Sequence, residues 1–327
     1  TGTKGGLRVM FSAFAPTHAS AASFNNHLGV PLTLMRMPLA AAYGVFEVGT
    51  NHPGEIGPLV GQVKPHVAML TTVENVHIEN FPSGEAIADE KAALYGGLVE
   101  GGIALLPRDN RHYERLRRHA DRVVSGRILT FGLHQDSDIR LLDARFHPDY
   151  SSLTASVCGT SLCYDFASPG QHLVANSLAM LGCAHALGLD LEQAGRALAH
   201  VRPPKGRGER LALKGHGVSF VLLDESYNAN PTSMQAALAL LAQVPVGGQG
   251  RRIAVMGDML ELGADAAALH QALAHSIVEH KIDHVFAAGD LMRNLYEALP
   301  HMKQAAWDAR AEGLLDPLFA TLRDGDV

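Results

Sequence analysis

The sequence predicts an α/β protein in two domains, each a largely parallel sheet with crossover helices, and three observations carry that prediction. Short apolar runs alternate with helical stretches over most of the chain. A stretch rich in Pro, Gly and charge, Val201 to Arg210, interrupts the alternation. One apolar run, Ser219–Leu223, stops at Asp224-Glu225 and a polar turn that opens a helix. At 327 residues the chain also exceeds the usual single core.

Taken in order, strand candidates fall at Val45–Val48, Val67–Thr72, Ile103–Leu106 and Ile128–Phe131, with helices over Glu85–Leu98 and Asn110–Val124 between them. From Asp138 to Phe166 the runs shorten and alternate, with Gly159 in a turn, which reads as a small antiparallel meander. Helix resumes over Leu173–Leu187, and the linker follows. Beyond it come a strand ending at Asp224, a helix to Ala242, a strand over Arg252–Asp258, a helix over Ala264–Glu279 and a strand over His284–Gly289. The boundary is expected at residues 201 and 202. The run 219–223 reads as a strand covered on both faces. Asn230 suits an N-cap and Pro231 the first helical position, where a missing N–H has no partner to lose. Ligands of open parallel sheets bind beyond the carboxyl ends of the strands, so Asp224 to Asn230 is expected to line a crevice.

A formal charge of −6 and a pI near 6.3, without a Lys/Arg-rich run, give no electrostatic footprint for nucleic acid. Cys158, Cys163 and Cys183 form no CxxC pair, which favours reduced thiols in a cytoplasm. Neither a signal peptide nor a membrane-spanning apolar run is evident, so a soluble protein is expected. The chain does not begin with Met, and its natural N-terminus is expected to lie upstream.

Several residues carry possible chemistry. Lys91 shares a helical stripe with Ile87, Leu94 and Leu98. Either its stem packs there while the ammonium reaches water, or burial lowers its pKa and leaves a modifiable amine. Glu47 ends an apolar run beside Gly49, a placement that suits magnesium and equally a solvated carboxylate. If the strands are parallel, Glu47, Thr72 and His77 fall at one edge. A phosphate loop of the form GxxxxGK[ST] is missing, since no Gly-Lys dipeptide occurs.

Together, PTHASAASFNNHLGVPLTL at 16–34, FEVGTNHPGEI at 46–56, TTVENVHIENF at 71–81, DESYNANP at 224–231 and GDMLELG at 257–263 resemble the Mur ligases of bacterial cell-wall synthesis. The resemblance implies a P-loop-type central ATPase domain over 1–201 and a Rossmann-like C-terminal domain over 202–327. It also implies a fragment, since Thr1-Gly2-Thr3-Lys4 resembles the continuation of the family's phosphate loop and Asp324-Gly325-Asp326-Val327 the start of a final strand. The implied activity is ATP-dependent joining of D-alanyl-D-alanine to a UDP-N-acetylmuramoyl-tripeptide through an acyl phosphate, by a cytoplasmic monomer, with the fragment itself inactive. Other amide ligases, such as the folyl-polyglutamate type, and a nucleotide-binding protein without turnover are the alternatives.

By matching motif, Thr1, Glu47 and His77 would ligate magnesium, and Lys91, as a carbamate, would ligate a second magnesium. Asn176 would touch adenine, Asp224 the ribose, with Glu225 as its alternative, and Arg207 the γ-phosphate, with Arg210 in reserve. Tyr227, Asn228 and Asn230 would face the adenine side, and Asn25, Asn26, Thr71 and Thr72 the peptide substrate. The chain departs from the family at Ala93, where a glutamate is usual, and at Gly5-Gly6, which weaken the expected helix.

Overall fold

The computed structural model describes residues 2–74, 78–147, 150–167, 171–203, 205–215 and 217–327, apart from the side chains of 78, 171 and 172. Two compact units result, Thr1–Pro203 and Pro204–Val327.

Unit 1 opens with α1 (Gly2–Ser12), which forms despite its glycines because Leu7, Met10 and Phe11 bury one face in the core. Next come β1 (Thr17–Ala19), α2 (Gly29–Met35), β2 (Tyr43–Val45) and α3 (Ile56–Val63). The strands β1 and β2 form a parallel pair of their own. They are followed by β3 (Val67–Met69), α4 (Gly84–Ala92), β4 (Ile103–Pro107), α5 (Tyr113–Val123) and β5 (Ile128–Gly132). The meander β6 (Ile139–Phe146), β7 (Ser151–Val157) and β8 (Thr160–Phe166) leads to α6 (Gln171–Ala186) and α7 (Leu191–Leu198). The six-stranded sheet runs β3-β4-β5-β6-β7-β8, parallel as far as β6 and antiparallel beyond it. Its parallel strands β4 and β5 are apolar apart from Thr130 because both faces are covered. One face packs on α1, α6 and α7, the other on α4 and α5. In β7 buried and half-buried residues alternate, so the meander has one packed face.

Unit 2 contains β9 (Glu209–Gly215), β10 (Val218–Asp224), α8 (Pro231–Gln243), β11 (Ile253–Gly257), α9 (Ala266–Glu279), β12 (His284–Ala288), α10 (Met292–Ala298), β13 (Gln304–Asp308) and α11 (Leu315–Thr321). The strands β11, β12 and β13 form a parallel sheet. The last residues of the chain lie between the hairpin and that sheet. Val221 N donates to Asp326 O, and Ile253 N to Val327 O.

Five element-level expectations change, one being that the strand expected at Val67–Thr72 ends at Met69 and leaves Thr71 and Thr72 beyond it. The run ending at Asp224 pairs antiparallel with β9 and is nowhere fully buried, in place of a doubly covered parallel strand. Its partner β9 was hidden in the linker because Glu209, Arg210 and Lys214 mask a two-residue period. The helix expected over Glu85–Leu98 ends at Ala92 and tightens into a 3-10 turn, Ala93–Gly97. There Gly97 comes so close to Val60 that an added Cβ would lie 2.5 Å from a methyl group. The strand expected at Val45–Val48 is Tyr43–Val45, which leaves Glu47 in the loop beyond it.

Candidate active site

Two groups of candidate residues take shape, one in each unit. In unit 1, Glu47 lies two residues past β2, half-buried. Its Oε2 is 3.5 Å from the Lys4 ammonium, and its Oε1 accepts from Asn25 Nδ2 at 3.4 Å. Asn25 reaches this position because Gly49 has no side chain, for a Cβ there would stand 2.7 Å from Nδ2. Asn26 is used locally, its Oδ1 accepting from Gly29 N at 2.9 Å at the head of α2. Beyond Glu47, Glu55 accepts from the backbone of Asn51 and His52, and these bonds hold its carboxyl below the usual range. Glu90 of α4 accepts from Gly54 N at 2.7 Å and Ile56 N at 2.8 Å, tying the loop to the helix that carries Lys91.

Burial lowers the pKa of Lys91, and the nearby charge of Glu74 partly restores it. Glu74 also accepts from Thr72 Oγ1 at 3.1 Å, and Thr72 in turn accepts from Asn110 Nδ2 at 3.2 Å. Thr71 directly precedes this network and is half-buried. Thr1 and His77 lie outside the described residues. Among the described residues no cluster of three or more His, Cys, Asp or Glu side chains is arranged to hold a metal. The donor chemistry of Glu47 nonetheless fits a hard cation, which takes oxygen ligands. Lys91 fits one only if its amine becomes a carboxylate-like group. Asn176 sits half-buried on the second turn of α6, one turn later than expected because the helix begins at Gln171.

In unit 2 the segment after Pro204 folds back on the turn after β10. Tyr227 N donates to Gly206 O at 3.1 Å and Gly208 N to Asp224 O at 2.9 Å. Both glycines have positive φ, +77° and +86°, a conformation that side-chain-bearing residues seldom adopt. Between them, Arg207 places its guanidinium 4.1 Å from the centre of the Tyr227 ring. Its Nε is buried and lacks a hydrogen-bond partner among the described residues. That orphaned donor fits an anionic ligand such as a phosphate group.

Asp224 accepts from Ser226 Oγ at 2.6 Å, and that bond holds its carboxyl below the ordinary range. Glu225 is pushed up to about 7 by burial, with Arg207 opposing the shift. Asn228 Oδ1 accepts from Ala229 N at 2.9 Å. Asn230 caps α8, its Oδ1 accepting from Ser233 N at 2.9 Å while Ser233 Oγ accepts from Asn230 N at 2.9 Å.

Sequence reasoning missed Lys4, Glu74 and Glu90. Glu74 and Glu90 carried a usable signal, as acidic residues near a lysine on an apolar stripe. Lys4 was visible only as the last residue of Thr1-Gly2-Thr3-Lys4, with no role of its own, because a lysine in the first turn of a helix reads as a surface charge.

A largely parallel sheet with an antiparallel extension, followed by a smaller α/β unit, defines a class, and the chain belongs to the Mur ligase family. The model of the Mur ligase middle domain matches residues 1–184, and that of the Mur ligase glutamate ligase domain matches residues 206–327. The chain is similar to the UDP-N-acetylmuramoyl-tripeptide--D-alanyl-D-alanine ligase of Rickettsia prowazekii (strain Madrid E), 30% identical over 301 residues, which cover 92% of this chain and 66% of that protein. It is 32% identical over 327 residues to the ligase of the same name from Synechocystis sp. (strain ATCC 27184 / PCC 6803 / Kazusa), covering 100% of this chain and 68% of that one. A crystal structure of MurF from Acinetobacter baumannii superposes with a TM-score of 0.86 at 30% identity, covering 99% of this chain and 70% of that one. The chain therefore spans about two thirds of the length of the curated relatives it matches.

Proposed function

We propose that this chain is part of an ATP-dependent ligase that joins D-alanyl-D-alanine to a UDP-N-acetylmuramoyl-tripeptide in peptidoglycan precursor synthesis, in the cytoplasm and as a monomer. The carrying observation is its 30–32% identity to ligases of that name over 92–100% of its length. In the proposed reaction the tripeptide carboxylate takes the γ-phosphoryl group of ATP. The amine of D-alanyl-D-alanine then displaces phosphate from the acyl phosphate, and ADP and phosphate leave. Such transfer rests on positioning and charge neutralisation.

Arg207, held by Tyr227 and carrying a donor without a partner, would meet a phosphate. Asp224, ionised and set by Ser226, would accept from ribose hydroxyls, and Tyr227, Asn228, Asn230 and Asn176 would line the base. Asn25, Asn26, Thr71 and Thr72 would face the peptide. Glu47, with Thr1 and His77, would hold magnesium, which when bound would neutralise phosphate charge. Lys91 is suited to carbamate formation because burial lowers its pKa and so leaves more neutral amine to react with carbon dioxide, giving an oxygen ligand for a second magnesium. The 327 residues contain no Gly-Lys dipeptide, which favours a second reading for this stretch taken alone, nucleotide binding without turnover.

The test is ADP release by the whole protein supplied with UDP-tripeptide and ATP. D-alanyl-D-alanine should stimulate it, and Lys91→Ala should depress it, with partial recovery on adding a short carboxylic acid. ADP release indifferent to D-alanyl-D-alanine sinks the assignment, and an unimpaired Lys91→Ala removes the carbamate.

A further inference from the structure

Lys4 stands on the first turn of α1 with 7% of its surface exposed. Its Nζ donates to Ser20 Oγ at 2.8 Å and to the Ala22 carbonyl at 2.6 Å. Those two short bonds, both to the loop after β1, fix the ammonium whatever Glu47 does. Its approach to Glu47 Oε2, at 3.5 Å, is longer than a charge-assisted hydrogen bond of about 2.7–2.9 Å. Glu47 is thus neighboured by a positive charge that is anchored elsewhere, while Asn25 steadies its other oxygen.

A strut between α1 and the loop would need only the bonds to Ser20 and Ala22. What the ammonium adds is electrostatic. It offsets the charge of Glu47, so a divalent cation approaching that carboxylate meets one attracting and one repelling group at nearly the same place. In a half-buried setting such repulsion is poorly screened.

We propose that Lys4 sets the charge of the Glu47 site, keeping it weak for a divalent cation until anionic phosphate supplies the missing negative charge. This rests on the reading of Glu47 as a metal ligand.

The experiment titrates the 327-residue chain with Mn2+ alone, following the free ion by electron paramagnetic resonance, with folding checked by circular dichroism. Lys4→Met and Lys4→Gln, two replacements of different polarity, should each bind Mn2+ about tenfold more tightly than the parent, and Lys4→Arg should match the parent. Adding Glu47→Gln to either should remove the gain. Folded Lys4→Met or Lys4→Gln chains with unchanged or weaker affinity would show a strut only and overturn the proposal. A gain that survives in Lys4→Met/Glu47→Gln would place the ion elsewhere, and the metal-ligand reading of Glu47 would fall with it.

Discussion

Asp224 and Glu225 are adjacent carboxylates with opposite electrostatic fates. Ser226 and neighbouring backbone groups keep Asp224 ionised, whereas burial raises Glu225 to about 7. The raised value has a thermodynamic sign. Between its unfolded value near 4.5 and about 7, the folded state holds the Glu225 proton more tightly than the unfolded state does. This residue's contribution is therefore full below pH 4.5 and is lost as pH rises through about 7. Glu225→Gln should make unit 2 more stable at pH 8, by on the order of 1 kcal/mol after discounting for solvent screening. It should also flatten stability across that window. Urea unfolding of the two proteins at pH 5 and pH 8 checks this, and an equal difference at both pH values contradicts it. The sequence displayed two acids at the end of a strand but could not rank them. Their difference lies in their surroundings, the Ser226 hydroxyl bonded to Asp224 and the burial of Glu225, which a run of residue types does not display.

Among the elements, α1 shows how one residue type can have two meanings. Gly5 has open space where a Cβ would go, whereas a Cβ on Gly6 would lie 2.6 Å from Met180 of α6. Gly5→Ala should stabilise unit 1 by about 0.5–1 kcal/mol, by restricting the unfolded chain at a helical position. Gly6→Ala should not, because Met180 is fully buried and must move. Equilibrium denaturation of the two variants measures both; destabilisation by Gly5→Ala contradicts the account. Elements buried on both faces were legible, since β4 is a continuous apolar run and β5 is one broken only by Thr130. The capped start of α8 was legible too, because Asn230 and Pro231 act locally. The strand β9 and the early end of α4 were not. Charged residues on an open hairpin obscure its period, and the turn after α4 ends at Gly97 against Val60, a contact between residues distant in sequence.

For the molecule as a whole, the two units have separate hydrophobic cores, and among the described residues no helix is long and apolar enough to cross a membrane. Unit 2 depends on its final residues. Asp326 is fully buried, and its carboxylate receives the Arg251 guanidinium at 2.7 Å and the Arg323 backbone N–H at 2.9 Å. The neighbouring backbone joins β10 on one side and β11 on the other. The stretch from Asp324 to Val327 is therefore a seam, and the Arg207–Tyr227 clasp is built on the panel that it stitches down. Removing the Asp326 carboxylate alone would unpick it, loosening the hairpin that aims a guanidinium many residues earlier in the chain.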